Sequence, residues 1–285
     1  MLRFALPLAL LLPLASSVAA APAMWKVSDA DSAIYLFGSF HVLPDGIDWR
    51  TPLFDERLAA ADKIVLETDV SPLAQAQVGA AAIARGVYVD GTLLTDVIDD
   101  DLEATLRAQS SAYDVPVGSL LAMRPWMAAN TISVAAMMAL GYDQPGVEFQ
   151  IEPEIEPDRL IHLETGEEQL DVLAGASDEE QLVMLQATLD ELDSMPKLMS
   201  KMIHHWQAGT ADRIAHLFQM EMGGFEDAFL DRLLYQRNRN WVEPLSQLLA
   251  DDIDALVIVG AAHLVGPTNV IELLEAEGFT ATRVQ

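Results

Sequence analysis

Two short, continuously apolar runs, 33–37 (AIYLF) and 255–259 (ALVIV), lie near opposite ends of the chain, and each runs into the same spacing: Gly38-Ser39-Phe40-His41 and Gly260-Ala261-Ala262-His263. A run of β-forming residues closed by glycine reads as a buried strand. The glycine stands where the chain must turn sharply or approach another group closely. The histidine then falls just beyond the carboxyl end of its strand, the rim at which open α/β sheets bind ligands. Two further runs end in a carboxylate instead: 63–66 (KIVL) at Glu67 and 160–163 (LIHL) at Glu164. Four predicted strands are thus expected to deliver His41, Glu67, Glu164 and His263 to one rim.

The intervening sequence supplies helices. Residues 53–61 are rich in Ala, Leu and charged side chains, so strand, helix and strand follow one another within the length of a βαβ unit. Residues 71–85 predict a helix with Pro72 in its first turn. Residues 99–111 open with acidic side chains, as a helix N-terminus prefers. The apolar stretch 116–140 is closed by Gly141 as a C-cap, and its Met123, Met127, Met137 and Met138 are expected to fill core rather than bind metal. Segments 93–97 and 146–151 are ambiguous, and 152–158 (EPEIEPD) predicts a loop. From 167 to 249 the composition is helical, with breaks expected near Gly175, Pro196, Gly209, Gly223-Gly224 and Pro244. A helix over 271–277 and an edge strand over 279–284 close the chain. The fold expected is α/β: a central mixed sheet with strand-end Gly-x-x-His loops and a helical insertion or lid at about 167–250.

Composition limits the chemistry. The chain has no cysteine, which removes disulfides, thiol nucleophiles and Cys-based metal sites. Sixteen basic against 44 acidic residues give a formal charge of −28, which repels nucleic acid and anionic lipid. The excess of acid keeps a protein in solution; it also draws cations towards a carboxylate-lined cleft. Residues 1–21 read as a signal peptide: Arg3, an apolar run over 4–14, and small-x-small sites at Ser17-Val18-Ala19 and Ala19-Ala20-Ala21. That run is too short for an ordinary transmembrane helix, although an uncleaved anchor is the competing reading. The mature chain is expected over 22–285 as a single domain, periplasmic or secreted, with no stable membrane span after cleavage.

Imidazole plus carboxylate is a usual ligand set for a divalent metal such as Mn, Co, Zn or Fe. Such a metal lowers the pKa of bound water and polarises a carbonyl, and a spare carboxylate can serve as general base. Each residue also has a plainer reading. A histidine after a strand can be structural, and Glu67 or Glu164 can cap a following helix, Glu164 beside Glu167 and Glu168 in particular. His162, inside a strand, is expected to point to the core, while His204, His205 and His216 read as surface or packing residues. The cluster Arg237-Asn238-Arg239-Asn240-Trp241 is either a solvated helix face or a helix whose Arg237 and Asn238 face the rim, where Arg binds an oxyanion and Asn a carbonyl. No Gly-x-Ser-x-Gly elbow or P-loop is present.

In this order and spacing the motifs resemble the TraB/GumN family, from about Trp25 to Val284. Gly38 to His41 matches an apolar strand followed by Gly-Thr-x-His, with Ser39 for Thr. Leu66 to Asp69, Leu163-Glu164-Thr165 with Glu168-Gln169, Arg237-Asn238 before Trp241, Gly260 to Leu264, Gly266, and Leu273 to Phe279 follow. Gly146-Val147-Glu148 stands where such proteins more often carry Gly-Val-Asp, which makes Glu148 a further candidate. The family includes the TIKI proteins, metal-dependent proteases. The resemblance therefore implies a metal-assisted, peptidase-like hydrolase acting on a peptide or small molecule, with His41, Glu67 and His263 as ligands. Glu67 is then ligand or base, Glu148 and Glu164 are alternatives for those roles, and Arg237 and Asn238 orient substrate. A non-catalytic binder of metal, haem or peptide, and an ester or lactone hydrolase, are the rival readings.

Overall fold

The computed structural model describes residues 20–221 and 227–285, so most of the leader and the Gly223-Gly224 break lie outside the described residues. The chain enters through β1 (Met24–Ser28), β2 (Ala33–Ser39) and the short β3 (Val42–Leu43), then α1 (Pro52–Ala60) and β4 (Lys63–Leu66). Helices α2 (Pro72–Gly86), α3 (Leu94–Val97), α4 (Asp100–Ala112), α5 (Val117–Leu120) and α6 (Pro125–Ala139) follow. After β5 (Gln144–Pro145) and α7 (Val147–Ile151) comes β6 (Leu160–His162). The second helical stretch is α8 (Gly166–Ala174), α9 (Asp178–Glu191), α10 (Met195–Gln207), α11 (Ala211–Glu221), α12 (Asp227–Leu230) and α13 (Gln236–Ala250). The chain ends with β7 (Ala255–Gly260), α14 (Val270–Ala276) and β8 (Thr280–Arg283).

The helices start where the sequence offers caps. Thr51, Ser71 and Asp99 accept from the backbone N–H three residues on, at 3.1, 3.3 and 2.8 Å. Gly141, expected as a C-cap, has φ +80° just past α6.

Six strands form one mixed sheet in the order β6-β4-β7-β2-β1-β8. The first four run parallel, and β1 is antiparallel to both β2 and β8. The carboxyl ends of β6, β4, β7 and β2 therefore share one edge. Both faces are covered, which is why these strands read as unbroken apolar runs. Phe37, Ile64, Leu66, Leu256 and Ile258 pack on one face with Phe54 and Trp206. Leu36, Val65, Val257 and Val259 pack on the other with Trp241, Leu245 and Leu274. A separate helical core joins α4, α6 and α9 through Leu106, Ile132 and Leu185.

Several expectations change. The first Gly-x-x-His segment is not a loop: Gly38 and Ser39 belong to β2, and His41 lies in the short gap before β3. The second is a 3-10 turn over Ala261–Leu264. Pro244 does not break the helix but sits inside α13; it is exposed, on the side where the carbonyl it frees can turn to water. His162 is exposed rather than core-facing, and Met138 is 60% exposed and fills no core. The acidic 152–158 segment folds into 3-10 turns over Glu152–Glu154 and Pro157–Arg159. The ambiguous segments become α3 and α7, and β1 was not anticipated. No helix of the described residues is long and apolar enough to cross a membrane.

Candidate functional site

Backbone pairing carries the site beyond the strands. Past β4 and β6 the ladder continues, Leu163 N–H to Leu66 O at 3.1 Å and Glu164 N–H to Glu67 O at 2.9 Å, so the two carboxylates stand side by side. Arg237, on α13, lies across them. Its Nη2 donates to Glu67 Oε2 at 2.6 Å and to Glu164, and its Nε donates to both Glu164 oxygens at 3.1 and 3.0 Å. Gln169 Nε2 bridges Glu67 and Glu164 at 3.1 and 3.2 Å, and Gly260 N–H donates to Glu67 Oε1 at 2.6 Å. Bidentate pairing of this kind is strong and geometrically specific.

The two histidines are held alike. Asn238 Nδ2 donates to Thr268 O at 2.9 Å, which turns Asn238 Oδ1 towards His263 Nδ1 at 2.6 Å. An amide oxygen only accepts, so Nδ1 carries the proton and Nε2 the lone pair. His263 Nε2 lies 3.1 Å from Arg237 Nη1, which donates to it, and 3.7 Å from Glu67 Oε1. The ring packs on Trp241 with centroids 4.4 Å apart. His41 Nδ1 lies 3.2 Å from Glu148 Oε1, and the same oxygen accepts from the Ser39 hydroxyl. The other oxygen of this buried carboxylate has no hydrogen-bond partner among the described residues.

Glu148 reaches His41 because the backbone approaches closely: Gly146 N–H donates to His41 O at 3.0 Å and Val147 N–H to Phe40 O at 3.2 Å. A Cβ at Gly146 would overlap that carbonyl backbone. Gly260 is the point the constellation faces. A Cβ there would stand 3.2 Å from Glu67 Oε1, 3.5 Å from His263 Cδ2 and 3.7 Å from His41 Nε2.

The charges follow from this geometry. Burial would raise the Glu67 carboxyl; His263, His41, Arg237 and the Gly260 N–H together outweigh it and hold the pKa at about 2. Burial pushes His263 down to about 3, Arg237 adding to it and Glu67 opposing. With His263 neutral at neutral pH, His41, Arg237 and the Gly260 N–H are what keep Glu67 ionised. Burial raises the Glu164 carboxyl above its ordinary range, against the pull of Arg237. The protein around His41 would lower its pKa, but Glu148 outweighs this and lifts it to about 9. That side chain is 57% exposed, so solvent reaches the site along its outer edge.

All seven candidates, His41, Glu67, Glu148, Glu164, Arg237, Asn238 and His263, lie in this one neighbourhood. Glu67 and Glu164 do not cap helices: Thr165 caps α8, reciprocated by Glu168. Gln169 was visible only as part of a motif, and the Ser39–Glu148 bond was not visible. His204 and His216 stay exposed and outside the site.

The donor chemistry suits a divalent cation. Two imidazoles each have Nδ1 held by an oxygen, the arrangement that orients metal-binding histidines, and both Nε2 atoms border the space around Glu67. Among the described residues no set of three or more His, Asp and Glu stands closed as a metal-binding group, and Arg237 takes the Nε2 of His263. By residue type His41, His263 and Glu67 are the donors that would hold the ion, with His41 giving up a proton and Arg237 leaving His263 Nε2 as it bound.

The family model described as TraB/PrgY/gumN matches residues 23–283, and the chain belongs to that family. No curated protein matches the chain, and no solved structure does.

Proposed function

We propose that this TraB/PrgY/gumN-family chain is an exported, peptidase-like hydrolase that works with a divalent metal such as Mn, Co, Zn or Fe on a peptide or small-molecule substrate. The observation that carries this reading is the meeting of two Nδ1-anchored imidazoles and an ionised glutamate at the carboxyl ends of parallel strands. A metal bound by His41, His263 and Glu67 would polarise a carbonyl and acidify water.

The chain's own groups divide the remaining work. Asn238 fixes which nitrogen of His263 carries the proton, and Glu148 holds Nδ1 of His41, whose Nε2 proton would leave on metal binding. Arg237 has its N–H groups committed to Glu67, Glu164, His263 and the Leu233 carbonyl, so it would hold a substrate carboxylate or a developing oxyanion by exchanging one of these partners for it. Glu164, with its pKa raised by burial, is suited to carry a proton to a leaving amine.

The test is the His41→Ala/His263→Ala double variant. Elemental analysis of the purified protein is expected to show the metal lost while circular dichroism shows the fold kept. Full metal retention in that variant contradicts the assignment.

A further inference from the structure

Ser39 is the last residue of β2 and pairs with Gly260 in the parallel register with β7. The sheet therefore fixes its place two residues before His41. Ser39 is 2% exposed, and a hydroxyl so buried costs stability unless it is hydrogen-bonded. Among the described residues it has one hydrogen-bond partner, Glu148 Oε1.

Glu148 is equally buried and has few contacts for a carboxylate in that setting. The Ser39 hydroxyl and His41 Nδ1 both meet Oε1, the latter at 3.2 Å, and Oε2 has no hydrogen-bond partner among the described residues. No Lys or Arg of the described residues forms an ion pair with it. Without the Ser39 hydroxyl, His41 alone would orient this carboxylate, whose last torsion has a broad, soft preference. His41 cannot do so firmly. Its side chain is 57% exposed, and Glu148 is the one polar partner of its ring among the described residues. The other histidine has a longer chain of support. His263 is buried, its Nδ1 is held by Asn238, and Asn238 is held in turn by the Thr268 carbonyl. Ser39 stands to Glu148 as Thr268 stands to Asn238.

We infer that Ser39 is a positioning residue of the site: its hydroxyl fixes Glu148, and through Glu148 aims His41 Nε2 at the space beside Gly260 and Glu67. A Cβ on Gly260 would stand 3.7 Å from that nitrogen. Ser39 itself is placed to touch neither metal nor substrate. It supplies order to a side chain that solvent would otherwise leave mobile, so less conformational freedom is lost when His41 takes a ligand. The inference rests on the hydrolase reading above for what His41 holds, and on the contacts alone for how the ring is held.

The experiment uses the mature chain, isotope-labelled at its histidine rings. NMR relaxation after chelation reads the order of the His41 ring. Competition with a chromophoric chelator reads the affinity for zinc ion. Ser39→Ala is expected to loosen the ring in the metal-free chain and to weaken zinc binding about tenfold, the usual cost of losing a group that supports a metal-binding histidine. Ser39→Thr, which keeps the hydroxyl on a residue suited to a strand, is expected to restore both. In a Glu148→Ala background Ser39→Ala is expected to change neither, because Ser39 has no other route to His41. An ordered ring with unchanged affinity in Ser39→Ala overturns the inference. So does a Ser39→Thr variant that behaves as Ser39→Ala, or an equal loss in the Glu148→Ala background, since either marks a packing role alone. A wild type that binds no zinc, with a His41 ring that still loosens in Ser39→Ala, supports the positioning role and overturns the metal reading. Zinc binding that is indifferent to Ser39, with the ring ordered throughout, does the reverse.

Discussion

His263 joins the sheet to α13 through a single imidazole, and its burial has a measurable consequence. Its pKa, about 3 in the folded chain, lies below the 6.5 of an unburied histidine. The unfolded chain therefore takes up a proton that the folded chain refuses. The stability this protects is complete above about pH 6.5 and falls as the pH drops towards 3, by about 2 kcal/mol at about pH 5. Urea denaturation at neutral pH and at about pH 5 should show that loss in the wild type and a clearly smaller one in His263→Asn. An equal loss in both contradicts a neutral His263. At this scale the sequence is unevenly legible. His41, Glu67, Glu164 and His263 could be found because each is a polar residue at or just past the end of an apolar strand. The bond from Ser39 to Glu148 spans 109 residues and depends on a close approach at Gly146, which no local pattern encodes. His162 was misjudged because alternation alone does not say which face of an edge strand meets solvent.

Elements hold the site through a few specific contacts. The Trp206 indole, on α10, donates to Gly38 O at 2.7 Å in a buried setting, clamping the end of β2 that carries His41. Phe37 and Phe40 meet the same ring edge-on, with centroids 6.4 and 5.4 Å away. Trp206→Phe keeps the aromatic packing and leaves the Gly38 carbonyl buried and unpaired, so a loss of about 1–3 kcal/mol is expected in denaturant unfolding. Unchanged stability would show that this clamp does not hold β2. Elements with local signals were legible: strands closed by Gly or Glu, and helices opened by Thr51, Ser71 and Asp99. Pro244 misled because proline was read as a helix breaker without knowing that its turn faces water. The two-residue β3 and β5 and the short α7 are set by contact with each other rather than by their own sequence.

For the whole molecule, the sheet order places β2 and β7, from opposite ends of the chain, side by side, and so brings two distant Gly-x-x-His segments together. The repeated motif suggested that closure; the strand order itself was not readable. A charge of −28 also acts on the molecule as a whole, because self-repulsion opposes compaction and salt screens it. Raising NaCl from about 0.02 to about 0.5 M should therefore raise the melting temperature, and a fall would contradict this view of the surface. The central claim is that the strand-end histidines and Glu67 hold a metal that works. It is tested most directly by metal content and peptidase activity of one mature preparation, before and after chelation. Bound Mn, Co, Zn or Fe, with cleavage that chelation stops and metal restores, is the predicted result. A protein that stays metal-free and cleaves nothing after reconstitution would contradict it.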